Sequence, residues 1–320
     1  MEIRFSSGEV AKVKVKDLEI LGFGTSRVYR WYCKEHNKNY VLRVSYDDTE
    51  VLRRMTDIRK RLSNYGGIPE SISYRGLPVG SGWGTKEEFG FKAHRDNAFE
   101  VLVYNYVDGV TLEEFIEGGR PPFSQRIQIC RQLLDSLIHL QNAGIVHSDL
   151  YPNNFVVGHN GKLYVMDLDS AGLLRWDRRD WVWRPTVIGR GYMFFTDPPE
   201  FLDTKLPTIF SDRWVGTYLT FYTLAGFHPI PFLTRIDKEA LDQLYEIADK
   251  NVYEWPPALS GNLPFMNTKW TLAWFKRWMH ENFGKTMFGR ALFATYIFGY
   301  KEPQRRPDFR QIKMSLSELM

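Results

Sequence analysis

The sequence contains little cysteine and no long apolar run. Only two of its 320 residues are cysteines, Cys33 and Cys130, which excludes a secreted scaffold held by disulfides and favours a reducing compartment. No stretch approaches the roughly 18 consecutive apolar residues that a membrane-spanning helix needs, and residues 1–21 are too interleaved with charges to form a signal peptide. We therefore expect a cytoplasmic protein without membrane association.

An excess of charge of one sign is also missing. The 42 Lys and Arg residues and the 38 Asp and Glu residues leave a net charge of +4, which is too small to indicate a nucleic-acid partner. Hydrophobic residues make up 43% of the chain and charged residues 25%, which are the proportions of a globular protein and not of a disordered or fibrous one. A chain of this length predicts about two domains.

The first hundred residues have the pattern of β-strands with a single main helix among them. Segments rich in β-branched and aromatic residues predict strands, and they lie at 16–21, 27–33, 40–44, 71–75 and 100–107. Apolar residues at spacings of 4, 3 and 4 predict one face of a helix, and these are Val51, Met55, Ile58 and Leu62. The glycine-rich segment Gly80–Gly84 is followed by no predicted helix, so we interpret it as a connection between strands.

The chain after Gly109 is predicted to be mainly helical. Ser124 begins a helical pattern that ends at Gly144, and its apolar face contains Ile127, Cys130, Leu134 and Leu137. His159-Asn160-Gly161 separates two short apolar runs and is a strong signal for a hairpin turn. The predicted organisation is an amino-terminal domain over residues 1–103, a linker over 104–109 and a carboxyl-terminal domain over 110–320.

Residues 145–169 carry the clearest chemical pattern. Asn154 follows Asp149 by five positions, and Asp167 comes after the predicted hairpin. Phosphoryl transfer needs a base near the accepting hydroxyl and oxygen ligands for Mg²⁺, and Mg²⁺ prefers one or two carboxylates together with phosphate and water oxygens. The three residues meet that need. The simpler alternative is a surface turn rich in Asp and Asn, followed by an ordinary hairpin.

The same residues resemble the motifs of the protein kinase family. His147-Ser148-Asp149-Leu150 followed by Asn154 matches the catalytic-loop pattern H-R-D-L-x-x-x-N at His, Asp, Leu and Asn, and Asp167 matches the first position of D-F-G. The resemblance implies that Asp149 is the catalytic base and that Asn154 and Asp167 bind Mg²⁺ at the phosphates of ATP. It also implies an α+β, bilobal fold, with a small β-rich lobe that contains one main helix and a larger, mainly helical lobe.

Other segments resemble further motifs of the family in the same order along the chain. The residues that the resemblance assigns to the nucleotide site are Gly22, Gly24, Val28, Val41, Arg43, Asp57, Asn105 and Val107. Pro198-Pro199-Glu200 resembles A-P-E, and Arg306 is implied to pair with Glu200. Asp212 resembles a buried Asp at the start of a large helix. The Asp-Leu-Asp-Ser stretch at 167–170 also resembles a bacterial group of kinase-like proteins with D-x-D-S in place of D-F-G.

Arg43, Tyr151 and Asp169 are among the positions that depart from the family pattern. Arg43 stands where the family has its phosphate-binding lysine, and arginine is not a conservative replacement at a phosphate site. As its carboxylate partner we favour Asp57 on the predicted helix, with Glu50 as the alternative. Tyr151 replaces the loop lysine that helps to neutralise the transferred phosphoryl group. Asp169 replaces a glycine, where it either adds a metal ligand or stiffens the turn, and we favour the turn.

The sequence predicts an ATP- and Mg²⁺-dependent protein kinase that phosphorylates Ser or Thr hydroxyls of protein substrates. The departures at Arg43 and Tyr151 motivate a second hypothesis, a catalytically impaired pseudokinase that acts as a nucleotide-binding or partner-binding regulatory module. A third hypothesis is a small-molecule kinase of the aminoglycoside or choline type, although such kinases lack the Pro-Pro-Glu and Arg-Arg-Pro elements of this chain.

Overall fold

The chain divides into two units that are not continuous in sequence. A computed structural model describes residues 1–23, 26–45, 51–90, 98–119, 121–177, 182–187, 207–226, 286–295, 299 and 302–319. The first unit contains Met1–Gly109 and Gly158–Asp169, and the second contains Val110–Val157 and Ser170–Met320. The segment 158–169 therefore belongs with the amino-terminal residues, although it lies later in the chain. Within the described residues, no helix combines the length and the apolar character that a bilayer crossing requires.

A seven-stranded antiparallel sheet forms most of the first unit. Its strands are β1 (Glu2–Phe5), β2 (Val10–Lys12), β3 (Glu19–Phe23), β4 (Ser26–Cys33), β5 (Lys38–Ser45), β6 (Gly80–Thr85) and β7 (Ala98–Asn105). Their order in the sheet is β2-β1-β6-β7-β5-β4-β3, and each neighbouring pair is antiparallel. The strands predicted at 16–21, 27–33, 40–44 and 100–107 are confirmed as β3, β4, β5 and β7.

The strand pattern also determines where Arg43 points. Leu42 and Val44, its neighbours on β5, are fully buried in the apolar core under the sheet. Because successive residues of a strand point to opposite faces, the Arg43 side chain points away from that core. The register pairs Gly22 with Val28 and Val28 with Arg43, so these three residues lie in one row across β3, β4 and β5.

The predictions for residues 71–75 and 80–84 are wrong. The strand expected at 71–75 is instead α2 (Glu70–Ser73), a single helical turn that begins after Pro69. The expected connection at 80–84 is strand β6, which pairs with β1 and β7. A Cβ atom on Gly80 would lie 3.0 Å from the carbonyl oxygen of Arg4, so this glycine permits close pairing with β1 and does not form a turn.

Two other helices belong to the first unit, together with residues 158–165 of a hairpin whose first strand begins in the second unit. Helix α1 (Val51–Asn64) buries the four predicted apolar residues, which confirms the helix, and α3 (Lys86–Phe89) follows β6. Strands β10 (Phe155–Gly158) and β11 (Leu163–Val165) confirm the predicted hairpin. In its turn, the N–H of Gly158 donates to the carbonyl of Lys162 at 2.9 Å, and Gly161 has a φ of 73°, which glycine adopts without steric cost.

The second unit is mainly helical. Its helices are α4 (Leu112–Gly119), α5 (Phe123–Asn142), α6 (Ile209–Ala225), α7 (Met287–Phe293) and α8 (Phe309–Ser315). Its strands include β8 (Gly109–Thr111), which begins in the first unit, together with β9 (Ile145–Val146), β12 (Gly172–Asp177) and β13 (Val182–Val187). The last three form a sheet in the order β13-β12-β9. Short 3₁₀ helices lie at Val15–Asp17, Pro152–Asn154, Leu168–Ser170, Pro303–Arg305 and Leu316–Leu319.

Helix α5 is the helix predicted from Ser124. Its four predicted apolar residues are buried, and Gly144 beyond its end has a φ of 68°, a left-handed conformation common after helices. The helix packs against α6 and α8. The predicted α+β class, with a β-rich amino-terminal region containing one main helix and a helical carboxyl-terminal region, is confirmed.

Candidate active site

The loop that carries Asp149 is held by a buried carboxylate on helix α6. Asp212 lies in the first turn of α6 and is only 5% exposed. Its carboxylate accepts hydrogen bonds from the backbone N–H of His147 at 2.6 Å and of Ser148 at 3.2 Å. Ser148 has a φ of 66°, a left-handed conformation that costs energy for a residue other than glycine. The two hydrogen bonds stabilise this strained turn immediately before Asp149.

His147 is a structural residue of the same loop. Its side chain is fully buried, and its ring stacks on Phe155 with 5.9 Å between the ring centroids. Its Nδ1 accepts a hydrogen bond from the backbone N–H of Asp149 at 3.3 Å. His147 is therefore buried in the second unit and holds the backbone of the loop through its hydrogen bond with Asp149.

Asn154 forms hydrogen bonds directly with Asp149, which precedes it by five residues on the same loop. The short helix Pro152–Asn154 brings the chain back, and the Asn154 N–H donates to the carbonyl of Tyr151 at 2.8 Å. The Nδ2 group of Asn154 donates to both the backbone oxygen and the Oδ2 atom of Asp149, each at 2.8 Å. Because the amide nitrogen faces Asp149, the amide oxygen points elsewhere, and it has no hydrogen-bond partner among the described residues.

Glu113 is a site residue that the sequence reasoning missed. It lies on α4 and accepts hydrogen bonds from the hydroxyl of Tyr151 at 3.3 Å and from Nδ2 of Asn153 at 2.7 Å. Burial and the nearby Glu113 carboxylate raise the pKa of Tyr151 to about 12. Nothing in the local pattern of α4 distinguishes Glu113 from the neighbouring glutamates, because its partners are about 40 residues away in sequence.

In the first unit, Arg43 is bound by the two carboxylates of the Asp167–Asp169 segment. Its guanidinium forms ion pairs with Asp167 and, at 2.6 Å, with Asp169, and its side chain is 15% exposed. Burial favours the neutral guanidine, but the two carboxylates outweigh this effect and raise the pKa of Arg43 above its ordinary value. Asp167 has a φ of 55°, so its backbone is also in the left-handed region.

Asp57 does not pair with Arg43. Asp57 is exposed on α1, and among the described residues the ion pairs of Arg43 are those with Asp167 and Asp169. The reason is helical geometry: Asp57 follows the buried Met55 by two positions, or about 200° around the helix, and so points to the opposite face. The alternative partner, Glu50, lies outside the described residues.

The other residues assigned to the nucleotide site are partly described. Gly22 and Val28 lie in the row that contains Arg43, whereas Gly24 lies outside the described residues. Val41 is buried on β5. In the segment predicted as the linker, Asn105 accepts a hydrogen bond from Lys38 at 2.8 Å, and Val107 is half-buried.

The Arg-Arg-Pro segment at residues 305–307 lies in the second unit. Arg306 is 1% exposed and donates to the carbonyls of Gly299 at 2.9 Å and Phe210 at 2.8 Å. Its guanidinium lies over the ring of Trp214, with 4.8 Å between Cζ and the ring centroid. Its predicted partner Glu200, with the rest of the Pro-Pro-Glu segment, lies outside the described residues.

Comparison with known proteins identifies the same family as the motifs. The family model described as "Protein kinase domain" matches residues 91–281. The chain is 25% identical to a probable serine/threonine-protein kinase MRK1 homolog of Encephalitozoon cuniculi, over 77% of this chain and 70% of that protein. It is 27% identical to mitogen-activated protein kinase kinase 2 of Arabidopsis thaliana, over 54% of this chain and 46% of that protein. It is 34% identical to the KEOPS complex subunit Bud32 of Pyrococcus abyssi, over 22% of this chain and 31% of that protein.

Proposed function

Because the chain belongs to the protein kinase family, we propose that it is an active kinase that uses ATP and Mg²⁺ to phosphorylate Ser or Thr hydroxyls of proteins. The observation that carries this proposal is the Asp149–Asn154 pair, in which one amide holds a carboxylate through two hydrogen bonds of 2.8 Å. A binding scaffold without turnover has no need of a carboxylate held in this way. The name of the relative from Encephalitozoon cuniculi supports a Ser or Thr acceptor.

Asp149 acts on the acceptor hydroxyl. A carboxylate in this position orients the hydroxyl and accepts its proton as the oxygen forms a bond to the γ-phosphorus and the bond from that phosphorus to the departing ADP breaks. Asn154 fixes the rotamer of Asp149, and Asp212 fixes the backbone before it. Because Asp149 is already held in place before the substrate binds, less conformational entropy is lost on reaching the transition state.

The available ligands fit Mg²⁺. The motif resemblance assigns Mg²⁺ to Asp167 and Asn154, and a carboxylate and an amide oxygen are the hard oxygen donors that this ion prefers. The amide oxygen of Asn154 has no hydrogen-bond partner among the described residues, because its Nδ2 group is the one that faces Asp149. When bound, Mg²⁺ neutralises part of the phosphate charge and orients the nucleotide. Arg43 adds a permanent positive charge, which suits contact with phosphate oxygens.

A regulatory module without turnover is the second candidate. The ion pair between Arg43 and Asp167 favours it, because the pair engages both the cation proposed for the phosphates and the carboxylate proposed for Mg²⁺. The two candidates differ in one measurable property, which is transfer of phosphate to a protein acceptor.

The test compares Asp149→Asn with the wild-type chain. We expect Asp149→Asn to lower single-turnover phosphorylation of a generic protein substrate, measured with radiolabelled ATP and Mg²⁺, by about 10²- to 10⁴-fold. ATP affinity measured by calorimetry should stay nearly unchanged. Asp135→Asn is the matched control, because Asp135 is an exposed carboxylate paired with Lys313. Undiminished phosphorylation by Asp149→Asn would contradict the role of Asp149, and a wild type without any transfer would favour the regulatory module.

A further inference from the structure

The carboxylate partner of Arg43 comes from the segment that follows the hairpin and not from helix α1. Arg43 uses its two terminal nitrogens on two different carboxylates, NH1 on Asp167 and NH2 on Asp169. If Asp167 binds Mg²⁺, as the proposed function requires, it has less capacity to neutralise Arg43. Asp169 is then the carboxylate that keeps the guanidinium in place.

Asp169 is itself held firmly. Its side chain is 8% exposed, and its backbone oxygen accepts a hydrogen bond from the Arg54 side chain on α1. The same segment packs closely on Gly76, where a Cβ atom would lie 3.1 Å from the carbonyl oxygen of Val165 and 3.2 Å from the Leu168 side chain. The absence of a side chain at Gly76 thus allows the segment 165–169 to pack closely against it. The hydrogen bond from Arg54 holds the carboxyl-terminal end of that segment.

We propose that Asp169 is the positioning residue for Arg43, and that it orients the guanidinium toward the phosphates of ATP. The proposal rests on the proposed function and adds to it a residue that replaces the helix carboxylate expected at Asp57. Asp169 itself contacts neither the nucleotide nor the acceptor in this scheme. It acts through the ion pair alone, because a guanidinium bound at NH2 by a buried carboxylate keeps a fixed orientation for its remaining N–H groups.

The first experiment measures stability in the absence of nucleotide and metal. Melting temperatures are compared for the wild type, Asp169→Asn, Arg43→Met and the double variant. Arg43→Met removes the cation that pairs with the buried carboxylate of Asp169 and with the Asp167 carboxylate, which is 28% exposed, so it should melt well below the wild type. Adding Asp169→Asn removes one of these charges and should raise the melting temperature above that of Arg43→Met alone. Asp169→Asn in the wild-type background should lower it, and such opposite signs are the signature of a direct pair.

The second experiment separates positioning from a general structural role. Steady-state kinetics of Asp169→Asn should show a KM for ATP raised about tenfold, which is the effect of losing about one charge-assisted contact. The KM for the protein acceptor should stay within twofold of the wild-type value. In the Arg43→Met background, Asp169→Asn should change the KM for ATP by less than twofold. Asp135→Asn again serves as the matched Asp-to-Asn control.

The results that overturn the proposal differ from those that overturn the proposed function. Additive melting temperatures for Arg43→Met and Asp169→Asn would show that Asp169 does not hold Arg43, even if the wild type is an active kinase. Coupling of Arg43 to Asp57→Asn and not to Asp169→Asn would restore the helix carboxylate as the partner. A wild type without phosphate transfer would overturn the proposed function, whereas the stability experiment would still report on the ion pair.

Discussion

Replacement of Asp212 should release the loop that carries Asp149 from helix α6. The Asp212 carboxylate accepts two hydrogen bonds from the buried N–H groups of His147 and Ser148, at 2.6 and 3.2 Å. A buried donor left without a partner costs about 1–3 kcal/mol. Asp212→Ala orphans both donors and should therefore destabilise the protein by about 2–6 kcal/mol through these bonds. Asp212→Asn keeps one acceptor oxygen and should cost about half as much.

The same change should lower activity more than stability alone explains. Without the two bonds, Ser148 can leave its left-handed conformation, and Asp149 moves with it. We expect kcat of Asp212→Ala to fall at least tenfold at temperatures where this variant is still folded, because small errors in position at a reacting group reduce the rate strongly. ATP affinity should change little.

Calorimetric melting and single-turnover phosphorylation of Asp212→Asn, Asp212→Ala and Asp135→Asn test this reasoning together. Asp135→Asn loses only an exposed pair with Lys313, which is worth less than about 1 kcal/mol. The expected order of melting temperatures is Asp135→Asn highest, Asp212→Asn intermediate and Asp212→Ala lowest. If Asp212→Ala melted with the Asp135→Asn control and kept wild-type kcat, the anchoring role of Asp212 would be refuted.

Two further predictions concern the metal and the loop tyrosine. In calorimetric titrations, Asp167→Ala and Asn154→Ala should each weaken the Mg²⁺-dependent part of ATP affinity. Asp167→Ala should have the larger effect, because it removes a charge. If both variants kept the wild-type Mg²⁺ dependence, these residues would not be the ligands of the ion. The pKa of Tyr151 rises from its usual value near 10 to about 12 on folding, so its contribution to stability is complete below about pH 10 and is lost as the pH rises to about 12. Melting curves of Tyr151→Phe should accordingly show a smaller loss over that pH range than those of the wild type, and parallel losses would contradict the shift.

Local patterns in the sequence predicted the elements that depend on local physics. The apolar spacing of α1, the helix from Ser124 and the hairpin at Asn160-Gly161 are confirmed, because each rests on periodicity or turn chemistry within a few residues. The sequence pattern likewise places Asp149 and Asn154 on one loop, whereas the hydrogen bonds between them are seen only in the structure.

The features that sequence reasoning missed depend on contacts between distant residues. The strand formed by the glycines of β6 cannot be predicted from local sequence, because these glycines pair with β1, whose residues are more than 70 positions away. Asp57 was favoured by its place in the family pattern, although its position relative to Met55 already directs it to the opposite face of α1. Asp169 could be recognised as a partner of Arg43 only from the structure, because the two are separated by more than 120 residues of chain.

The discontinuous first unit has a consequence for the order in which the chain folds. Residues 158–169 belong to the unit that begins at Met1, so a ribosome that has produced only the first 109 residues has not yet made the carboxylates that neutralise Arg43. Closing the Arg43–Asp167 contact encloses a loop of 124 residues, and such long-range closure slows folding. During synthesis, Arg43 in the first sheet therefore lacks these two carboxylate partners until Asp167 and Asp169 have been made.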